Sequence, residues 1–286
     1  MAATTAAPTP VVPSGRTAVH LRRFDAYDRV LHGLLMISFL GLAFTGLPLL
    51  FSDRELAQRF VKLLGSFEVA GWLHRVSALL LIVVFLLHLI RVGRRVVVNK
   101  DYGVLWGPRS MVPQWRDLTD IIGHVKWFLG RGPRPNFDRF TYWEKFDYWA
   151  VFWGMGIIGF SGLLLWFPVL FATFLPGWAF NVAQLVHGEE ALLAVGFIFT
   201  MHFFNGHLRP EKFPMDTVIF TGSVTEAELA AERPDEYARL VRAGGLDALR
   251  VAAPEPWLDK FGRVIGTITV LLGLLLVGLI LYAAFA

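Results

Sequence analysis

The chain has 286 residues, 55% of them hydrophobic and 17% charged, with a mean hydropathy of +0.52, a net charge of +4 and no cysteine. A balance this apolar excludes a soluble globular domain of the same length. The lack of thiols excludes disulfides, iron–sulfur clusters, thiolate zinc sites and covalently attached haem, and leaves any metal chemistry to His, Met and carboxylates.

Residues 1–19 are rich in Ala, Thr and Pro and hold no apolar stretch of signal-peptide length, so they read as a disordered tail and the first span as a retained anchor. Five stretches reach the roughly 20 apolar residues that a hydrocarbon layer requires. They cover about residues 30–50, 69–90, 148–174, 179–204 and 265–286. Leu175, Pro176 and Gly177 divide the third from the fourth. Residues 118–129 have helical periodicity and suit a short helix lying in the membrane interface, and residues 225–242 read as two short helices broken at Pro234. On the third span Gly154, Gly156, Gly159 and Gly162 permit close approach of a neighbouring helix or of a flat macrocycle. The expected fold is all-α and membrane-integral, a four-helix bundle with a fifth C-terminal transmembrane helix. Its expected divisions are the tail 1–19, a bundle 20–222 with a loop over 91–147, an extension 223–261 and the fifth helix 262–286.

Basic residues set the expected orientation, because short loops rich in Lys and Arg stay in the cytoplasm. Arg16, Arg22, Arg23 and Arg29 precede or open the first span, eleven follow between Arg91 and Lys145, and eight between Arg209 and Arg263, together 23 of the 27. Only Arg54, Arg59, Lys62 and Arg75 fall on the other side. The N-terminus is therefore expected in the cytoplasm and the C-terminus in the periplasm of a bacterial inner-membrane, multi-pass protein. Basic charge in membrane-flanking loops accounts for the high isoelectric point with no need of nucleic acid.

Ionisable groups at membrane depth are costly and mark functional candidates. Five histidines qualify: His32, His74, His88, His187 and His202. His32 and His202 belong to the cytoplasmic ends of their spans, and His74 and His187 to the periplasmic ends. Two histidines at each of two depths is what two bis-imidazole b-type haems require. The interval of 14 from His74 to His88 returns to within about 40° of the same helix face roughly 21 Å further on, and the interval of 15 from His187 to His202 to within about 60°. Imidazole at both axial positions leaves no open site on iron, so the expected chemistry is electron transfer. His88 either replaces His32 as a ligand or contacts a haem propionate or quinone. His20, His124 and His207 fall in tails, loops or helix ends, where a solvated or propionate-binding role is expected.

Arg29-x-x-His32 on the first span, His74 at the head of the second, and His187 with His202 on the fourth resemble the gamma subunit of respiratory formate dehydrogenase and the wider superfamily of bacterial di-haem cytochromes b. The resemblance covers about residues 21–241 and implies pairing of His74 with His187 and of His32 with His202. Three departures stand out. The interval on the fourth helix is one residue longer than the family's, which calls for a local bulge or a shifted ligand. The family's aromatic-Asn-x-x-Gln-Lys stretch beside its quinone site reads Phe140-Thr141-Tyr142-Trp143-Glu144-Lys145, with the lysine kept and the amides lost. A fifth helix follows, and Arg209-Pro-Glu-Lys-Phe-Pro-Met215 looks more like b subunits that accompany periplasmic multihaem c cytochromes.

The expectation is thus a haem-bearing subunit that relays electrons between quinol, menaquinol included, and a periplasmic multihaem c cytochrome or iron–sulfur subunit. Reversed flow from a formate dehydrogenase or hydrogenase type of partner is the alternative, and a haem-free scaffold or transporter is the reading from another class. Quinone exchange takes up or releases two protons, so its site is expected beside the cytoplasmic haem, with Glu144, Lys145 and Asp147 as proton-exchange candidates. A rival place is the periplasmic side, where Glu189 and Glu190 follow His187.

Overall fold

The computed structural model describes residues 18–285, so the tail expected over 1–19 lies almost wholly outside the described residues. Among the described residues, nine helices longer than one turn organise the fold: α1 (Ala26–Leu50), α2 (Glu55–Leu64), α3 (Phe67–Val97), α4 (Trp115–Phe128), α5 (Tyr142–Trp166), α6 (Trp178–Leu208), α7 (Glu226–Glu232), α8 (Pro234–Arg242) and α9 (Pro256–Phe285). Five of them, α1, α3, α5, α6 and α9, are long and apolar enough to cross a membrane. The loops between α3 and α5 and between α6 and α9 lie on the face that carries the N-terminal segment, called here the N face.

The spans begin earlier or run longer than hydropathy indicates, for a local reason. The Asp25 side chain accepts the Asp28 N–H and caps α1, and Ser66 does the same for α3 through Val69. At α5 Thr141 and Glu144 form a reciprocal capping box, which starts the helix at Tyr142, six residues before the expected 148. At the far end of α3, Arg91, Arg94 and Arg95 continue the helix past residue 90. Charge ends the hydrocarbon crossing without ending the helix, since Arg is a good helix former.

α1 packs along α3, and α5 along α6. Gly41 meets the Ser77 side chain, and Gly273 on α9 meets the Phe199 ring, which is 1% exposed at the centre of a cluster with Ala43, Val195, Phe203 and Leu276. These glycines let the helix backbones approach closely. The fifth helix thereby leans on α6 and closes one flank of the bundle.

Two features were not foreseen. One is the amphipathic helix α2, which joins α1 to α3 on the face opposite the N face. Its alternating polar residues keep it below any length-and-hydropathy threshold. The other is a three-stranded antiparallel sheet, in the order β2 (Ser223–Thr225), β1 (His20–Arg22), β3 (Arg250–Val251), with Leu21 paired to Val224 and Arg250. Strands of two or three residues are too short to show an alternating pattern. The sheet ties the N-terminal segment to the extension after α6, so the expected boundary at 222/223 cuts through a paired structure.

Ion pairs finish the N face. Buried Glu236 on α8 binds Arg23 at 2.6 Å and Arg139 at 3.1 Å, Arg239 binds Asp138 at 2.6 Å, and Lys145 on α5 binds Asp117 on α4 at 2.8 Å. Burial works against the charge on Lys212, but Asp216 and Glu232, at 3.0 and 2.8 Å, outweigh it and raise its pKa. Arg95 bonds the Asp101 carboxylate, and with Arg109 it holds that group below its usual range.

Candidate functional site

A cavity of about 2880 Å³ runs through the bundle, lined by six of the eight histidines: His32, His74, His88, His187, His202 and His207. Ordinary ligand pockets measure about 300–1,000 Å³, so the space accommodates more than one large cofactor. His20 and His124 do not line it. His124 on α4 instead bonds the Tyr142 hydroxyl at 3.0 Å, and burial, with Arg134 and Arg209 nearby, lowers its pKa.

Toward the opposite face, His74 on α3 and His187 on α6 present their rings to each other, centroids 6.2 Å apart and planes at 76°. Each has its Nδ1 committed. The Thr45 hydroxyl donates to the Gly41 carbonyl at 2.6 Å, so it accepts from His74 Nδ1 at 3.1 Å. His187 Nδ1 donates to the Ile158 carbonyl at 3.0 Å. That carbonyl belongs to a π-helical turn, Met155–Gly159, in a glycine-rich run of α5. Ser161, donating to the Ile157 carbonyl at 2.7 Å, packs beside the same nitrogen at 3.3 Å. Both Nε2 atoms are left as the free lone-pair positions.

This pair fits an iron between two imidazoles. Two metal–imidazole bonds of about 2.0 Å, with about 1.2 Å from each nitrogen to its ring centre, span roughly 6.4 Å, against the observed 6.2 Å. Room for the two imidazole rings is built into the neighbouring helices. A Cβ at Gly46 would stand 3.0 Å from His74 Cε1, and one at Gly162 2.9 Å from His187 Cε1. The oriented Nδ1–H on each ring is the outer-shell contact that metal-binding histidines carry.

At the N-face end, His32 on α1 and His202 on α6 line the same cavity. His202 Nδ1 donates to Asp147 Oδ2 at 3.0 Å, a carboxylate–histidine arrangement that again leaves Nε2 free. A second π-helical turn, Ile198–His202, lies between His187 and His202. It absorbs one residue, so the interval of 15 behaves as about 14 and the two rings return to within about 40° of one helix face. A local bulge is thus present on this helix. His207, one π turn further on, has an Nδ1 that is enclosed and without a hydrogen-bond partner among the described residues. Its closeness to the His32 and His202 pair was missed, because five-residue spacing shares a face only in π geometry.

His88 on α3 is separated from these pairs and bonds the Tyr148 hydroxyl on α5 at 2.8 Å. The three proton-exchange candidates diverge. Glu144 accepts from the Thr141 N–H at 2.7 Å and from Arg233 at 3.0 Å, and lines the cavity. Lys145 turns away to Asp117, outside the main cavity. Asp147 faces His202. Of the rival pair, Glu189 is exposed, while Glu190 lines the cavity and accepts from Trp153 Nε1 at 3.2 Å.

A sequence model of the family described as prokaryotic cytochrome b561 matches residues 23–209, which covers α1 through α6 and every histidine of the cavity. Among curated proteins, none matches the chain.

Proposed function

The chain belongs to the prokaryotic cytochrome b561 family, and from that premise we propose that this b-type membrane cytochrome holds two haems and relays electrons between the quinone pool and a redox partner at its opposite face. His74 and His187 would hold one haem iron, and His32 and His202 the other. When bound, a bis-imidazole haem b supplies a one-electron couple with no open coordination position. The observation that carries the reading is the facing pair His74 and His187 at 6.2 Å, with both Nδ1 atoms already tied.

The chain's own residues set the conditions. Thr45 and the Ile158 carbonyl hold the two imidazoles as Nδ1–H tautomers with Nε2 inward, and Asp147 does so for His202 while adding negative charge near that iron site. Apolar helix walls exclude water. Quinone is exchanged on the N-face side, the cytoplasmic side by the distribution of basic residues, with Asp147 and Glu144 at the cavity mouth and Lys145 bracing α5 against α4. The partner at the periplasmic side is a multihaem c cytochrome or an iron–sulfur subunit, and the same sites run in reverse carry electrons from a dehydrogenase to quinone.

Haem content per chain and the reduced-minus-oxidised spectrum test the assignment. His187→Ala loses half the haem, as does His32→Gln, whereas His88→Gln keeps both. Full recovery of two haems in His187→Ala overturns the pairing. Alkaline phosphatase fused after Ala286 is active in the proposed orientation, and a fluorescent cytoplasmic fusion there overturns it.

A further inference from the structure

The walls of the bundle are uneven. α1 and α3 pack backbone to backbone, as do α5 and α6, whereas α3 and α5 hardly approach each other and are joined across the cavity by side chains. Phe85 meets Phe152 with ring centroids 5.1 Å apart, and His88 meets both Tyr148 and Phe152. Trp149 and Trp153, which line the cavity on the α5 side of this gap, are 40% and 60% exposed, so the gap looks out to the lipid. Its N-face end is roofed, since Trp149 Nε1 donates to the Met111 carbonyl at 3.1 Å and the Tyr27 hydroxyl donates to the Leu87 carbonyl at 3.0 Å.

Within this aromatic gap is one polar pair, His88 and Tyr148, hydrogen-bonded at 2.8 Å and lining the cavity. It caps no helix and holds no ligating histidine in place. His88 lies 14 residues from His74, about 21 Å along α3, which is the depth of the His32 and His202 pair. The cation next to it, Arg91, is already bound by Asp25 and Asp28 and stacks on Tyr27 at 4.5 Å. A haem propionate would need a cation free to meet it. A neutral hydroxyl–imidazole pair between aromatic faces, open sideways to lipid, suits an uncharged planar ring that carries carbonyl oxygens.

We propose that the gap between α3 and α5 is the seat of the quinone head group, with Tyr148 bonded to one carbonyl oxygen and His88 exchanging the proton. The assignment rests on the electron-relay reading and gives it a site. Oxidation of a quinol breaks two O–H bonds and releases two protons and two electrons. The two electrons would leave one at a time to the one-electron couple that a b-type haem held by His32 and His202 would supply. The protons leave by way of Tyr148 and His88 toward the Arg91, Asp25 and Asp28 cluster and Tyr27 at the N face, with Asp147 on the α5 side of the same cavity. Reduction of quinone is the same sequence reversed.

The test uses the full-length protein in nanodiscs. Binding is read by quenching of the fluorescence of 2-heptyl-4-hydroxyquinoline N-oxide, a quinone analogue, and turnover by stopped-flow reduction of the b-band with duroquinol. Tyr148→Phe keeps both haems and the dithionite-reduced spectrum, while analogue affinity and the duroquinol rate each fall about tenfold, the scale of one hydrogen bond lost in a site shielded from water. Phe85→Trp, which fills the gap and leaves the polar pair intact, weakens the analogue as well. Wild-type binding and rates in both variants, with haem intact, overturn the site and leave the relay reading standing. So does loss of one haem in His88→Gln, which would make His88 a ligand. A wild-type protein with no b-type band overturns both readings.

Discussion

Replacing Asp147 by leucine removes the only hydrogen-bond acceptor that His202 Nδ1 has among the described residues, at 3.0 Å. Loss of such an outer-shell partner lowers metal affinity about 10–100-fold, or about 1.4–2.7 kcal/mol. The smaller end is expected, because Asp147 Oδ1 is enclosed without a partner and its removal relieves part of the cost of burying the carboxylate. The charge has a second effect. A carboxylate beside the ligand favours the extra positive charge of ferric iron, so its removal raises the midpoint potential of the N-face haem, by about 59 mV if the preference lost is tenfold. Asp147→Asn separates the two contributions, since its amide oxygen still accepts from Nδ1–H and holds the ring. That variant keeps its haem and shows the shift in potential. Haem per chain and a potentiometric titration of the b-band measure both. An Asp147→Leu protein with full haem and an unmoved potential would refute the reasoning.

Gly162→Ala sets a Cβ 2.9 Å from His187 Cε1 and displaces that ring; one of two haems is lost and the N-face haem stays, and retention of both would show that α5 yields. Glu236→Ala leaves Arg23 and Arg139 facing each other with their counter-charge gone, a change that costs about 3–5 kcal/mol for a buried pair. Limited proteolysis of the segment after α6 reports it, and unchanged protection would count against the network. The folded pKa of Lys212 is raised above 10.5 by Asp216 and Glu232 against the pull of burial, so its contribution is fully present below pH 10.5 and is lost as pH rises through the folded value. Thermal unfolding should therefore fall off more steeply above that pH in the wild type than in Lys212→Met, and parallel curves would remove the lysine from the account.

Much of the fold was legible because its physics is local and one-dimensional. A hydrocarbon layer demands about 20 apolar residues per crossing, and the five runs are plain in the chain. Intramembrane histidines are costly enough to stand out. The strands of the small sheet are too short to leave a periodic trace, and α2 is too polar to register as a span.

Sequence by itself determined the five crossings, the lack of thiolate chemistry and the four histidines that group at two depths. The tertiary structure alone decided how those histidines are held. An interval of 15 residues is one too many for a straight α-helix, and only the π turn at Ile198–His202 shows where the excess goes. No spacing tells that Ile158 offers its carbonyl to His187, because the two residues lie 29 apart on different helices and meet only through packing. Glu144, Lys145 and Asp147 are neighbours in the chain, yet helical rotation of about 100° per residue points them at a cap and Arg233, at Asp117, and at His202. Asp117, His202 and Arg233 come from segments 28 to 89 residues away, and only the folded chain brings those together.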